Sequence, residues 1–205
     1  MKGNSISAYA FRSNTYAIDD NNKITDLSVS DIAELSVISN FAFTWNTSLT
    51  CISDLGNNIK YIGDQAFSSS GLNKMIVPSS LVDNIEGNGV KGYGLNDTIS
   101  LTSIAYQDGI KAIAPSAMID CRSLLAEVEF PSTLLSIGDY AFAETYNVFP
   151  NIKEFNLKDC NELTVVGDYA FYNSISTLEN NELVLPSSLL SIGAASFAYS
   201  RDAYT

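Results

Sequence analysis

The 205-residue chain contains no histidine, and that absence removes His-dependent general base catalysis and the usual histidine-containing zinc sites. Cysteine is nearly as scarce. Cys51, Cys121 and Cys160 are scattered over more than a hundred residues with no C-x-x-C pair, so they make neither a disulfide framework nor a cysteine-only metal site. They read as free structural thiols. Cys121 follows Met118 by three residues, a turn position held elsewhere by Ser70, Thr145 or Ser174, so a small, half-buried side chain is expected there. Cations are few: 11 lysines and arginines face 23 aspartates and glutamates, a net charge of -12. Such a surface repels phosphate backbones, and no run of Lys or Arg overrides it, which excludes nucleic acid as a partner. Long apolar runs are missing too. No stretch approaches the roughly 18 apolar residues of a membrane span, and Met1 to Ser7 shows no run of signal-peptide length.

What the chain does have is repetition. Ser136-Ile137-Gly138-Asp139-Tyr140-Ala141-Phe142 carries a pattern that returns along nearly its whole length. Close copies begin at Ile62, Val166 and Ile192, and weaker ones at Ile6, Ile38 and Ile113; a worn copy runs from Ile85 to Val90. The last position then reads Phe11, Phe43, Phe67, Val90, Met118, Phe142, Phe171 and Phe197. Most steps are about 23 to 29 residues, the period of leucine-rich repeats. In this reading a short strand ends at Ile, Gly takes a positive φ at the corner and Asp caps a following helical turn. Ala leaves room for the next coil, and Phe fills the interior at about 2 to 3 kcal/mol for each buried ring.

A second element alternates with the first: an apolar residue, two variable ones, apolar, variable, apolar, often followed by Pro. Its copies begin at Ile24, Leu49, Leu72, Leu101, Leu125 and Ile152, with a shortened one at Leu183. Local alternation gives a strand with one buried face, and stacked strands give one parallel sheet of about seven. The variable residue before each second apolar position forms an exposed column, Asp26, Cys51, Lys74, Ser103, Glu127, Glu154 and Glu182. Its neighbour reads Ser28, Ser53, Ile76, Ala105, Glu129, Asn156 and Val184. Four carboxylates thereby gather on consecutive strands, each adjacent pair costing about 0.8 kcal/mol at about 5 Å in water unless something positive sits there. Glu127, Glu129, Glu154, Asn156 and Glu182 are the candidate binding residues, for a basic protein partner or a calcium ion.

The I-G-D-x-A-F core and the L-P-S-S-L-x-S-I-G run of Leu185 to Gly193 resemble the leucine-rich repeats of the BspA-like family, over nearly all of the chain. The resemblance implies an α/β repeat fold, a leucine-rich-repeat solenoid with short parallel strands, tight turns and short helical turns. It also implies a cell-surface or secreted protein that acts in adhesion or host interaction, with a host or extracellular-matrix protein as partner. The pattern opens inside a unit at Ile6 and stops soon after Phe197 without polar capping repeats. Residues 1–205 are therefore expected to form a single solenoid that is a fragment of a longer protein.

Several segments depart from the repeat. Residues 12–23 read as an inserted loop, and Asp19 and Asp20 there lack the spacing of a calcium loop. Gly87 to Gly94 contains G-x-G-x-x-G, but no strand and opening helix frame it, so it reads as a lengthened loop rather than a dinucleotide site. Glu144 to Pro150 and Asn173 to Asn181 lengthen their units, where Tyr146, Phe149 and Tyr172 either make contacts or cap the core. Two sequons, at Asn46 and Asn96, are assigned no role. An open repeat sheet lacks a cleft flanked by two carboxyls, so no catalysis and no cofactor are expected. The reading is a non-catalytic protein-binding or adhesion module, with an intracellular interaction scaffold or a carbohydrate-binding module as alternatives.

Overall fold

The computed structural model describes residues 4–12, 24–81, 89–90, 94–95, 98, 100–121, 127–144, 146–147, 149–150, 154–155, 157–174 and 183–199. Both sequence elements form strands. The Ile-bearing element supplies β1 (Ser5–Ile6), β3 (Val37–Ile38), β5 (Tyr61–Ile62), β7 (Gly89–Val90), β9 (Ala112–Ile113), β11 (Ser136–Ile137), β15 (Val165–Val166) and β16 (Ser191–Ile192). The alternating element supplies β2 (Asp26–Ser28), β4 (Cys51–Asp54), β6 (Lys74–Val77), β8 (Ser103–Tyr106), β10 (Glu127–Glu129) and β14 (Glu154–Phe155). In place of one sheet the described residues form four parallel ones, β1-β3-β5-β7, β9-β11-β15-β16, β6-β8-β10-β14 and β2-β4. The shortened copy at Leu183 forms no strand. Lengthening at Glu144 makes a small antiparallel hairpin, β12 (Tyr146–Asn147) with β13 (Phe149–Pro150). Residues 13–23 and 175–181 lie outside the described residues, as do Asp19 and Asp20.

The interior column exists, with one change. Rings of Phe11, Phe43 and Phe67 stack at 5.0 and 5.2 Å, and those of Phe142, Phe171 and Phe197 at 5.1 and 5.3 Å, each pair within 9° of parallel. In the fourth unit Val90 pairs in register with Ile62, not with Phe67. The Phe67 amide instead donates to the Gly94 carbonyl, as that of Phe43 does to Ala66, which puts the fully buried Leu95 in the column. The copy is thus Val90 to Leu95, five residues later than the Ile85 to Val90 expected from the sequence. Within the G-x-G-x-x-G run, Gly89–Val90 form strand β7 and Gly94 opens the turn to Leu95; its other residues, and with them the expected lengthened loop, lie outside the described residues.

The expected short helical turns are almost wholly missing among the described residues, which hold one 3-10 turn, Leu157–Asp159, and otherwise hydrogen-bonded turns. The reason is visible in where the amides go. Amides of Ala42 and Thr44 bond back three residues, to Ser39 and Phe41, while Phe41, Phe43 and Trp45 between them donate to Asp64, Ala66 and Ser68 of the next coil. A helix would satisfy every amide within its own turn, whereas here alternate amides point along the solenoid axis. This alternation requires left-handed backbone at Phe41 (φ 59°) and Trp45 (φ 60°), and again at Gln65 and Ser69, Ser116 and Asp120, Tyr140 and Glu144, Tyr169 and Asn173, Ala195 and Tyr199.

At Gly63, Gly138, Gly167 and Gly193 of the repeated motif the glycine does not supply the positive φ; the residue two places after it does. An L side chain in that region costs about 1 to 2 kcal/mol. Ala195 is exposed, has φ 52° and carries only a methyl group, so Ala195→Gly is expected to stabilise the fold by about 0.5 to 1 kcal/mol in chemical denaturation. Loss of stability would refute the left-handed assignment.

The repeated Asp also works between coils. Asp139 Oδ1 accepts the Asp168 amide at 2.8 Å, Asp168 Oδ1 accepts the Ala194 amide at 2.6 Å, and Asn40 serves Asp64 in the same way at 3.1 Å. Asp26 and Asp108 do likewise for the amides of Ser53 and Ser132 on the opposite side of the coil. At Asp139 and Asp168 a ladder of carboxylates along the solenoid thus takes the place of capping within the unit, while Asp64 keeps a hydrogen bond to the Gln65 amide of its own turn.

Candidate functional site

The acidic column lies on β6-β8-β10-β14, at register positions that alternate with the buried ones. Register pairs Lys74 with Ser103, Ser103 with Glu127, and Glu127 with Glu154; the next column pairs Ile76 with Ala105 and Ala105 with Glu129. This order follows from the inward set, where Met75, Ile104 and Val128 are buried, as are Val77, Tyr106 and Phe130. Glu129 is exposed at the end of β10, and Ile76 is half exposed two strands away. Glu127 and Glu154 occupy neighbouring positions on one column, while Asn156 and Glu182 lie outside the described residues. At the other end of the chain Asp26 pairs with Cys51 as the columns require, but a bulge sets Ser28 against Asp54 rather than Ser53.

Charge along this face changes sign from Lys74 to the glutamates. The exposed ion pair of Lys111 and Glu162, 3.3 Å, lies elsewhere, where its contribution is small. At Asp26 the Ser53 hydroxyl and then its amide hold the carboxyl below the ordinary carboxylate range. Desolvation, followed by the charge of Asp26, pushes the Cys51 thiol up.

The other two thiols are interior. Cys121 is fully buried, not half-buried, and its Sγ donates to the Leu95 carbonyl at 2.9 Å; Ser70 and Ser174 at the same turn position are equally buried. Burial pushes the Cys160 thiol up to about 11. Native protein is therefore expected to offer one thiol, Cys51, to a maleimide, with a rate that rises steeply above neutral pH. Three thiols reacting at one rate under native conditions would contradict this arrangement. The sequon residue Asn46 is also buried, its Nδ2 donating to the Phe11 carbonyl at 3.3 Å.

A feature that apolar periodicity does not pick out is the turn edge, where aromatic residues occupy left-handed positions. Tyr9 stacks on Phe41 at 5.2 Å, and Tyr140 on Tyr169 at 4.9 Å and 6°. Tyr169 meets Tyr172 at 5.5 Å, and Tyr172 meets Tyr199 at 5.2 Å. Tyr172 is therefore part of an aromatic edge and half-buried within it. The signal was present as Tyr or Phe recurring at the x of I-G-D-x-A-F, a variable position in the pattern.

A family model described as the BspA type leucine rich repeat region matches in six copies, over residues 4–91 and 88–203. Among solved structures the chain is similar to a leucine-rich repeat protein from Bacteroides ovatus, with a TM-score of 0.59 and 18% identity. That alignment covers 92% of this chain and 48% of the other, so the chain spans about half the length of that protein. A leucine rich cell surface protein from Faecalibacterium prausnitzii aligns with a TM-score of 0.28 and 13% identity, over 86% of this chain and 65% of its own. No curated protein sequence matches. Among the described residues no helix is long and apolar enough to cross a membrane.

Proposed function

This chain belongs to the BspA type leucine-rich repeat family, and from that premise we propose that it is a non-catalytic protein-binding or adhesion module of a cell-surface or secreted protein. Its contact face is the β6-β8-β10-β14 sheet, with Glu127, Glu129, Glu154, Asn156 and Glu182 as the residues that meet a basic protein partner. The observation that supports this reading is the register of Glu127 beside Glu154, one strand from Ser103, in a parallel sheet that presents side chains in line. Like charges on adjacent strands oppose folding slightly, and a basic partner reverses the sign of that contribution while accelerating encounter. A host or extracellular-matrix protein is the partner class in view. The scaffold sets the spacing, and the exposed residues set what it holds.

The test is to capture a partner from a host-cell surface extract and compare the wild type with a variant carrying Glu→Gln at 127, 129, 154 and 182. Screening shortens the reach of charge from about 10 Å at 0.1 M salt to about 3 Å at 1 M. The wild type should lose affinity over that range by tenfold or more, and the variant should start weak and change little. Equal affinity and equal salt dependence would exclude this face.

A further inference from the structure

We infer that the turn edge formed by Tyr140 and Tyr169 is a second binding surface, one that takes an arginine side chain of a partner peptide. The inference concerns an edge distinct from the acidic sheet and does not rest on that reading. Six of the thirteen non-glycine residues with positive φ among the described residues are aromatic: Tyr9, Phe41, Trp45, Tyr140, Tyr169 and Tyr199. Asn or Gly would hold such positions with less strain. Stacking between Tyr140 and Tyr169 accounts for their inner faces only. The same column holds Ser116 before Tyr140 and Ala195 after Tyr169, so neither outer face has a ring or long side chain from its column neighbour against it; Tyr169, half-buried, also meets Tyr172 at 5.5 Å and 62°, which makes Tyr140 the more open of the two. Tyr140 is 41% exposed.

The chain shows what such an edge accepts. In its N-terminal half the Arg12 guanidinium lies 4.4 Å from the ring centre of Trp45 and 5.6 Å from that of Tyr9. This is the range in which a cation is attracted by the negative face of an aromatic ring. Among the described residues no cation lies over Tyr140 or Tyr169. Carboxylates adjoin them in sequence: Asp139 and Asp168 directly precede the two tyrosines and are exposed, and in the ladder of amides each uses its Oδ1. Glu144 follows Tyr140 by four residues, where Trp45 follows Phe41; it is half-buried and its Oε2 accepts the Asn173 Nδ2 at 3.2 Å, which leaves Asp139 and Asp168 as the exposed carboxylates of the edge. Ring faces combined with carboxylates match a planar guanidinium better than an ammonium, and better than an uncharged sugar.

The experiment uses an arginine nonapeptide, with the citrulline nonapeptide as an isosteric uncharged control and a linear glucose oligosaccharide as the competing ligand class. Affinities are measured by calorimetry for the wild type and for Tyr140→Gln/Tyr169→Gln. The variant keeps the net charge, and Gln65 already occupies the equivalent position at φ 52°. Non-specific attraction to an acidic protein is therefore unchanged by the substitution. The variant should bind the arginine peptide at least fivefold more weakly, citrulline should bind neither protein, and Glu→Gln changes on the acidic sheet should leave this fivefold difference intact. Ala195→Tyr, which covers the outer face of Tyr169 without a charge change, should weaken arginine binding about twofold and serves if the double variant does not fold. Equal binding by wild type and variants would overturn the inference. Oligosaccharide binding lost with the tyrosines, while arginine binding is unchanged, would replace it with a sugar platform.

Discussion

Phe142→Ala is expected to cost about 3 to 5 kcal/mol in equilibrium denaturation, the range for truncating a buried aromatic. Phe142 is fully buried, lies 5.1 Å from Phe171 and within 2° of parallel to it, and meets the edge of Phe130 at 5.7 Å. Truncation therefore removes one ring from a continuous column and leaves Phe171 and Phe130 facing a void. Its backbone is tied as well, since the Phe142 amide donates to Ala170 and its carbonyl accepts the Ser174 hydroxyl, so the coil cannot close the gap by collapsing. A loss under about 1 kcal/mol would mean the ring is not interior. Because each coil contacts chiefly its neighbours, the damage should be concentrated in hydrogen exchange near coils that contain Met118, Phe142 and Phe171.

Gly138→Val is expected to be as damaging, at about 3 kcal/mol or more, through overpacking against backbone. A Cβ at Gly138 would lie 2.5 Å from the Pro115 nitrogen, 2.8 Å from its Cδ and 2.9 Å from the Ala114 carbonyl carbon. None of these belongs to a flexible side chain. Gly63, Gly167 and Gly193 face the same obstruction from Asn40, Asp139 and Asp168 of the preceding coil. The effect is thus close approach of successive coils rather than a left-handed corner, since Gly138 has no positive φ, and Gly138→Ala should also destabilise because its Cβ alone meets the Ala114–Pro115 backbone. An unchanged melting temperature for either variant would show that successive coils sit farther apart than these distances require.

Much of the solenoid is legible in the residues themselves. The interior set of Phe43, Phe67, Phe142 and Phe171, the strand phase that puts Met75, Ile104 and Val128 inward, and the neighbourhood of Glu127 and Glu154 all follow from local apolar spacing repeated in each unit. The phase of the fourth unit is not legible locally, because Val90 fits either the Ile or the Phe position by hydrophobicity alone. Only its pairing with Ile62 settles the choice, and that pairing spans 28 residues.

By itself the sequence determined the repeat, its period and which side chains fill the interior, because these depend on residues close together in one unit. Tertiary structure decided what the remaining positions do. Whether Gly138 is a corner or a point of contact, whether Asp139 bonds its own turn or the next, and whether Tyr140 accepts a left-handed backbone are all set by the coil one repeat away. Amides that a helix would have bonded internally are instead aimed at that neighbour, and no local pattern distinguishes the two outcomes until the coils are stacked.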